Sequence, residues 1–172
     1  MVNRQLSLIL GSGKELEIAK QLYDTATLTD YLTDYDLFAE TYEQAVKEET
    51  AFRGGKWSKE DVLRDTIDAC LSIISRGKIA PADYAEYLRG IKSLRNHILL
   101  SGYNTDDATW KACKVLHLAS CLISGKLYVK IENAEAYASE LLSGEKFKKL
   151  AYVRKQRLDA YACLVEASRN LD

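Results

Sequence analysis

Apolar residues recur along most of the chain at intervals of three and four positions, which places them on one face of an α-helix. Alternation is clear only at Leu127, Val129 and Ile131, a stretch that fits either a strand or an extended linker. The pattern predicts an all-α protein, a single compact bundle of about seven helices. After a short N-terminal element, the predicted helices cover residues 13–24, 35–50, 58–76, 81–101, 106–124, 133–143 and 145–169.

Local signals mark several of these helix ends. Ser12 with Glu15, and Ser58 with Asp61, match the capping box, in which serine accepts from a backbone N–H and the acid reaches back. Pro81 fits the first turn of a helix. The glycines that follow apolar segments and so predict helix ends are Gly77, Gly102 and Gly125.

The sequence GSGK at residues 11–14 raises the question of a phosphate-binding loop. Such a loop needs a glycine five positions before the Gly-Lys pair and a serine or threonine after the lysine. Leu8 and Glu15 occupy these positions. The stretch therefore predicts a helix start rather than a nucleotide site.

The helix predicted at residues 106–124 is apolar on nearly all sides, because its polar strip contains only Asp107, Lys111 and Lys114. A helix of this kind is usually surrounded by other helices. We therefore expect it at the centre of the bundle. Its apolar positions are Ala112, Val115, Leu116, Ala119, Leu122 and Ile123 on one side, and Trp110, Cys113, His117 and Cys121 on the other.

Length and composition limit the class of protein. At 172 residues we expect residues 1–172 to form a single helical domain. No apolar run approaches a membrane span, and the run at residues 6–10 is too short for a secretory signal. These features predict a cytoplasmic protein that does not enter a membrane. Eleven tyrosines against three phenylalanines predict half-buried side chains, either at an interface or in the boundary layer of a small bundle.

The cysteines and histidines offer little for a metal site. The four cysteines lack C-x-x-C spacing, and we interpret them as reduced core residues. Cys113, His117 and Cys121 share a helix face, but the outer two are about 12 Å apart along the axis, so one ion could bind only an adjacent pair. We expect a buried face with a hydrogen-bonded His117, and an exposed His97.

Acidic residues form the sharpest chemical pattern. Glu40 and Glu43 are three residues apart on one predicted helix, and Asp65 and Asp68 are three apart on the next. Two antiparallel helices could bring these four carboxylates together. Carboxylate oxygens are the ligands that Mg²⁺ prefers, and bound Mg²⁺ would orient water for attack on a polyphosphate.

This arrangement resembles the all-α, MazG-like nucleoside triphosphate pyrophosphohydrolases, whose pattern is E-x-x-E, a variable gap, and E-x-x-D. Here ETYE at 40–43 is followed after 21 residues by DTID at 65–68. The likeness covers residues 37–76 and has Asp65 where the family usually has glutamate. It implies that Glu40, Glu43, Asp65 and Asp68 hold magnesium and that a nucleoside monophosphate and pyrophosphate are formed.

Charge is distributed unevenly although the formal net charge is only −1. Residues 1–50 contain ten acids and four bases, whereas residues 145–157 contain six bases and one acid. Basic residues interleaved with aromatic ones suit phosphate contacts and base stacking, or simply form a solvated helix face. We expect Arg154 and Arg157 on a buried stripe, paired with a carboxylate from the acidic N-terminal third. The six bases are Lys146, Lys148, Lys149, Arg154, Lys155 and Arg157.

No catalytic pattern dominates the sequence. We expect a small soluble helical interaction protein that needs no cofactor and binds a protein partner or itself through its helical surfaces. One alternative is the magnesium-dependent nucleotide pyrophosphohydrolase of the resemblance. The other is nucleic-acid binding through residues 145–157.

Overall fold

The computed structural model describes residues 15–52, 54–55, 57–98 and 102–172. These residues form eight α-helices, six of them of seven or more residues, and no strand. The all-α prediction is therefore confirmed. The helices are α1 (Glu15–Leu28), α2 (Tyr35–Phe52), α3 (Lys59–Ile74), α4 (Pro81–Leu94), α5 (Thr105–Ser124), α6 (Glu145–Lys148), α7 (Val153–Gln156) and α8 (Leu158–Leu171).

Helix α5 lies at the centre of the bundle, as its nearly continuous apolar surface predicts. It packs against α1, α3, α4 and α8, and Ala108, Ala112 and Leu116 have no exposed surface. Lys111 departs from the expected polar strip because it is buried. Its Nζ donates to Thr27 Oγ1 at 2.9 Å, so α1 covers this part of α5.

Several predicted helix boundaries are confirmed. The Ser58 side chain accepts from the Asp61 backbone N–H, and the Asp61 carboxylate accepts from the Ser58 backbone N–H. Pro81 is the first residue of α4. Ser12, the other predicted capping serine, lies outside the described residues, as does the GSGK stretch. Gly77 and Gly125 follow α3 and α5 with positive φ, as predicted. Gly102 also has positive φ but does not end α4, which stops at Leu94.

Helices α1 and α4 cross at a point where only glycine fits. A Cβ atom on Gly90 would lie 2.1 Å from the backbone oxygen of Glu15. Arg89 also reaches across this contact, donating to Glu15 at 3.1 Å. The close approach fixes the start of α1 against the bundle.

The prediction of a helix at residues 133–143 is wrong. Only Ala134–Tyr137 forms a short 3-10 helix there. Helix α8 satisfies backbone groups of the following stretch, because the Tyr161 hydroxyl donates to the Glu140 oxygen and Ser168 Oγ accepts from the Ser143 N–H. These contacts from α8 replace the hydrogen bonds that a helix would supply.

The prediction of a single helix at residues 145–169 is also wrong. The chain forms the short helices α6 and α7 before α8, and Arg157 has an extended backbone between the last two. Helix α4 is shorter than predicted as well, since it ends at Leu94 and a turn follows at residues 95–97.

Buried thiols and half-buried tyrosines complete the core. All four cysteines are free and buried, as predicted, and burial raises the pKa of Cys70 and of Cys163 to about 12. Seven of the eleven tyrosines are only partly buried, as predicted. In the part of the chain that the structure describes, no helix has both the length and the apolar character needed to cross a membrane.

Candidate interaction site

The four acids of the magnesium hypothesis lie on neighbouring helices, but two of them already meet lysines. The oxygens of Glu43 lie 3.0 Å from Lys47 Nζ and 3.3 Å from Lys59 Nζ. Hydrogen bonds from these two lysines hold the pKa of the Glu43 carboxyl below its usual value. Asp68 lies 3.5 Å from Lys146 Nζ.

The four acids are not brought together as a cation site. Glu40 is exposed, and Asp65 is half-buried. No group of three or more His, Cys, Asp or Glu side chains within the described ranges is arranged to hold a metal ion.

The basic segment 145–157 does not form a continuous cationic stripe. It is divided between α6, a turn and α7. Lys148 pairs with Glu145, and Lys149 and Lys155 are exposed. Nucleic-acid binding by this segment stays a prediction.

The expected burial of Arg154 and Arg157 is wrong, because both are exposed. The extended backbone at Arg157 shifts the phase of the helix that follows. Arg157 pairs with Asp159, two residues away, and not with an acid of the N-terminal third. Its guanidinium carbon lies 3.6 Å from the centre of the Trp110 ring, a cation–π contact.

The histidine prediction is correct in burial but not in hydrogen bonding. His117 is buried, and its Nδ1 has no hydrogen-bond partner among the residues that the structure describes. Its ring lies 4.7 Å from that of Tyr128. Burial lowers the pKa of His117 to about 4, so the ring is neutral at physiological pH. His97 is exposed, as expected.

Exposed apolar side chains lie at the turn between α1 and α2 and on the linker after α5 that contacts this turn. Apolar side chains of this size seldom gather on a protein surface without a binding role. We call this set the apolar face. It consists of Leu28, Tyr31, Leu37, Leu127 and Val129, each more than 60% exposed.

Two contacts hold both parts of the apolar face together. The Tyr128 ring stacks on Tyr35 at the start of α2, and Lys130 Nζ donates to the backbone oxygen of Asp30 at 3.1 Å. Tyr128 is half-buried, whereas its neighbours Leu127 and Val129 are exposed. The segment predicted as strand or linker is therefore a linker, with its two exposed side chains beside the α1–α2 turn.

A cavity of about 370 Å³ opens beside the apolar face. Leu28 and Tyr31 line it and are also exposed, so they form its mouth. None of its lining residues carries a formal charge. The deeper walls come from α1, α2, α3 and α5, with Ile18, Leu22, Phe38, Tyr42, Leu63, Val115, Leu118 and Leu122 among them.

The volume and lining of this cavity are those of a binding pocket. Small-molecule and anchor pockets commonly have about 300–1,000 Å³ and mostly apolar walls with a few polar groups. Burial raises the pKa of Tyr42, so this phenol on the wall stays neutral. The cavity thus suits an uncharged, apolar group of a binding partner.

Comparisons of the chain with protein-family models, with curated proteins and with solved structures found no match.

Sequence reasoning missed the apolar face. Leu37 lies off the apolar stripe of α2 formed by Phe38, Tyr42 and Val46, but one exposed leucine does not by itself indicate a binding surface. The alternation at Leu127 and Val129 was the one available signal. It predicted an extended segment but not the neighbouring α1–α2 turn.

Proposed function

We propose that this protein is a helical binding module that recognises a protein partner through the apolar face. The observation that carries the proposal is the position of Leu28 and Tyr31, which are exposed and also line the cavity. Binding hot spots combine an apolar pocket with surrounding side chains that exclude water. The four buried free thiols are in keeping with a cytoplasmic location, which belongs to the same proposal.

The energetics of the apolar face agree with this role. Burying a large apolar side chain contributes about 1.5–3 kcal/mol, and five such side chains are exposed here. Because association itself costs about 4–15 kcal/mol, a partner must cover most of the apolar face and fill the cavity to bind specifically. The function requires no cofactor and no chemical step.

A direct test uses a fluorescent amphipathic peptide, about fourteen residues long, with leucines on one helical face and glutamines on the other. Fluorescence anisotropy would give its Kd for the wild-type protein and for two variants. Leu28→Ser removes an apolar side chain at the mouth of the cavity. Phe52→Ser is the matched control, because Phe52 is also exposed but lies about 22 Å along α2 from Leu37.

We expect saturable binding that weakens about tenfold in Leu28→Ser and is unchanged in Phe52→Ser. Circular dichroism would confirm that both variants are folded. Equal affinities in all three proteins, or no binding to any of them, would refute the role of the apolar face.

A further inference from the structure

Three of the five residues of the apolar face lie in the most acidic part of the described chain, and the other two lie between Lys126 and Lys130. Lys130 donates to the backbone oxygen of Asp30 and so is engaged at this surface. Residues 21–46 contain six acids and no lysine or arginine. Asp30 pairs with Lys114 from α5. The acids of this segment that are exposed near the α1–α2 turn are Asp24, Asp34, Asp36 and Glu40.

These acids are placed to border a bound partner. Asp24 is one helical turn before Leu28 on α1, and Glu40 is one turn after Leu37 on α2, so each shares a helix face with an exposed leucine. Asp34 accepts from the Leu37 N–H at 3.0 Å, which sets this acid at the start of α2. An uncharged pocket with a negative border fits a partner with an apolar core and positive edges.

We propose that the occupant is a basic amphipathic helix of another protein, a proposal that rests on the binding function above. A helix presents apolar side chains at every third or fourth position. One large side chain would enter the cavity between Leu28 and Tyr31, and its neighbours would cover Leu37 and Val129. Lysines and arginines at its edges would lie near Asp24, Asp36 and Glu40.

A second copy of this chain is a poor occupant, although its segment 145–157 is basic. The apolar residues of that segment, Phe147, Leu150 and Val153, are buried in the protein's own core. A second copy could not present them to the apolar face without unfolding α6 and α7. Segment 145–157 of a second copy is therefore not the basic helix of this proposal.

The test uses three peptides of about fourteen residues with the same leucine pattern and one central tryptophan, differing only in a polar face of lysine, glutamine or glutamate. We expect the lysine peptide to bind about tenfold more tightly than the glutamine peptide at low salt. The glutamate peptide should bind most weakly. Added salt should reduce the difference, because ions screen exposed charges.

A charge-neutralised variant tests whether these acids cause the preference for the lysine peptide. Asp24→Asn, Asp36→Asn and Glu40→Gln together should remove the preference for lysine and leave the affinity for the glutamine peptide unchanged. The matched control neutralises three exposed acids farther from the α1–α2 turn, Glu17→Gln, Glu48→Gln and Glu135→Gln, and should keep the preference.

The outcomes separate the two proposals. Equal binding of all three peptides, weakened by Leu28→Ser, would overturn the basic helix and leave the binding function standing. Peptide binding that is unchanged in Leu28→Ser would overturn both proposals. A concentration-dependent dimer in sedimentation, abolished by Leu28→Ser, would assign the apolar face to a second copy and also overturn the basic helix.

Discussion

Tyr128 stacks on Tyr35, with ring centroids 6.3 Å apart and ring planes inclined by 26°. This contact connects the linker after α5 to the first turn of α2. The apolar face therefore depends on two segments that are far apart in the sequence, and the stacked pair keeps them side by side.

Replacing Tyr128 by alanine should weaken both the fold and peptide binding. Loss of the half-buried ring should lower the free energy of unfolding by about 2 kcal/mol, measured by urea denaturation. The lysine peptide should also bind several-fold more weakly, since Leu127 and Val129 lose their position. Tyr128→Phe keeps the ring stack and should bind the peptide like the wild type. Unchanged peptide affinity in Tyr128→Ala would show that the linker is not part of the binding surface.

Filling the cavity should block binding without unfolding the protein. Ala119 lines the cavity on α5, so the larger side chain of Ala119→Leu has room. We expect its free energy of unfolding to stay within about 1 kcal/mol of the wild type while peptide affinity falls. Ala112 is completely buried on the same helix and does not line the cavity.

Ala112→Leu is therefore the matched control, and overpacking there should cost about 1–3 kcal/mol. If Ala119→Leu destabilises the protein as much as Ala112→Leu, the cavity does not have the volume described. If Ala119→Leu retains full peptide affinity, no side chain of the peptide enters the cavity.

The buried His117 should make stability depend on pH between about 6.5 and about 4. In the unfolded chain this ring is protonated as the pH falls below about 6.5. In the folded protein it stays neutral until the pH approaches about 4. Stability from the neutral ring is complete above this window and is lost as the pH falls through it. The loss amounts to about 3 kcal/mol, and the charge of Glu166 opposes part of the shift.

Urea denaturation at a series of pH values would measure this loss. His117→Gln should flatten the wild-type decline in this window, whereas His97→Gln, at an exposed position, should leave it intact. The same decline in the wild type and in His117→Gln would assign the pH dependence to other groups.

Magnesium chloride should change the midpoint of thermal unfolding no more than sodium chloride of equal ionic strength does. The reason is that Glu43 is engaged by Lys47 and Lys59, and Asp68 by Lys146. A magnesium-specific rise that Asp68→Ala abolishes, together with pyrophosphate release from a nucleotide panel, would instead support the pyrophosphohydrolase hypothesis.

Much of the fold follows from local sequence. The central place of α5 is predictable because few of its positions are polar, and the Ser58–Asp61 capping box needs only four residues. The segment 133–143 is not predictable in this way, since its backbone partners Tyr161 and Ser168 lie on a distant helix. Arg157 shows the same limit, because one extended residue changes which side chains share a face.

The candidate site was less accessible from the sequence. The acidic character of its border is visible in the composition of residues 21–46. Its apolar centre is not, because the linker at residues 127–130 reaches the α1–α2 turn only through contacts between distant segments. The carboxylate pattern at residues 40–68 suggested a metal site because spacing describes one helix at a time. It does not show which lysines lie beside the acids, such as Lys59 beside Glu43 and Lys146 beside Asp68.

The most direct test of the binding site is a nuclear magnetic resonance titration of the isotope-labelled protein with the lysine peptide. Backbone amide signals of residues 21–42 and 127–130 should shift and saturate together, and those of residues 145–157 should remain in place. Shifts confined to residues 145–157, or no saturable shift at the α1–α2 turn, would contradict the account.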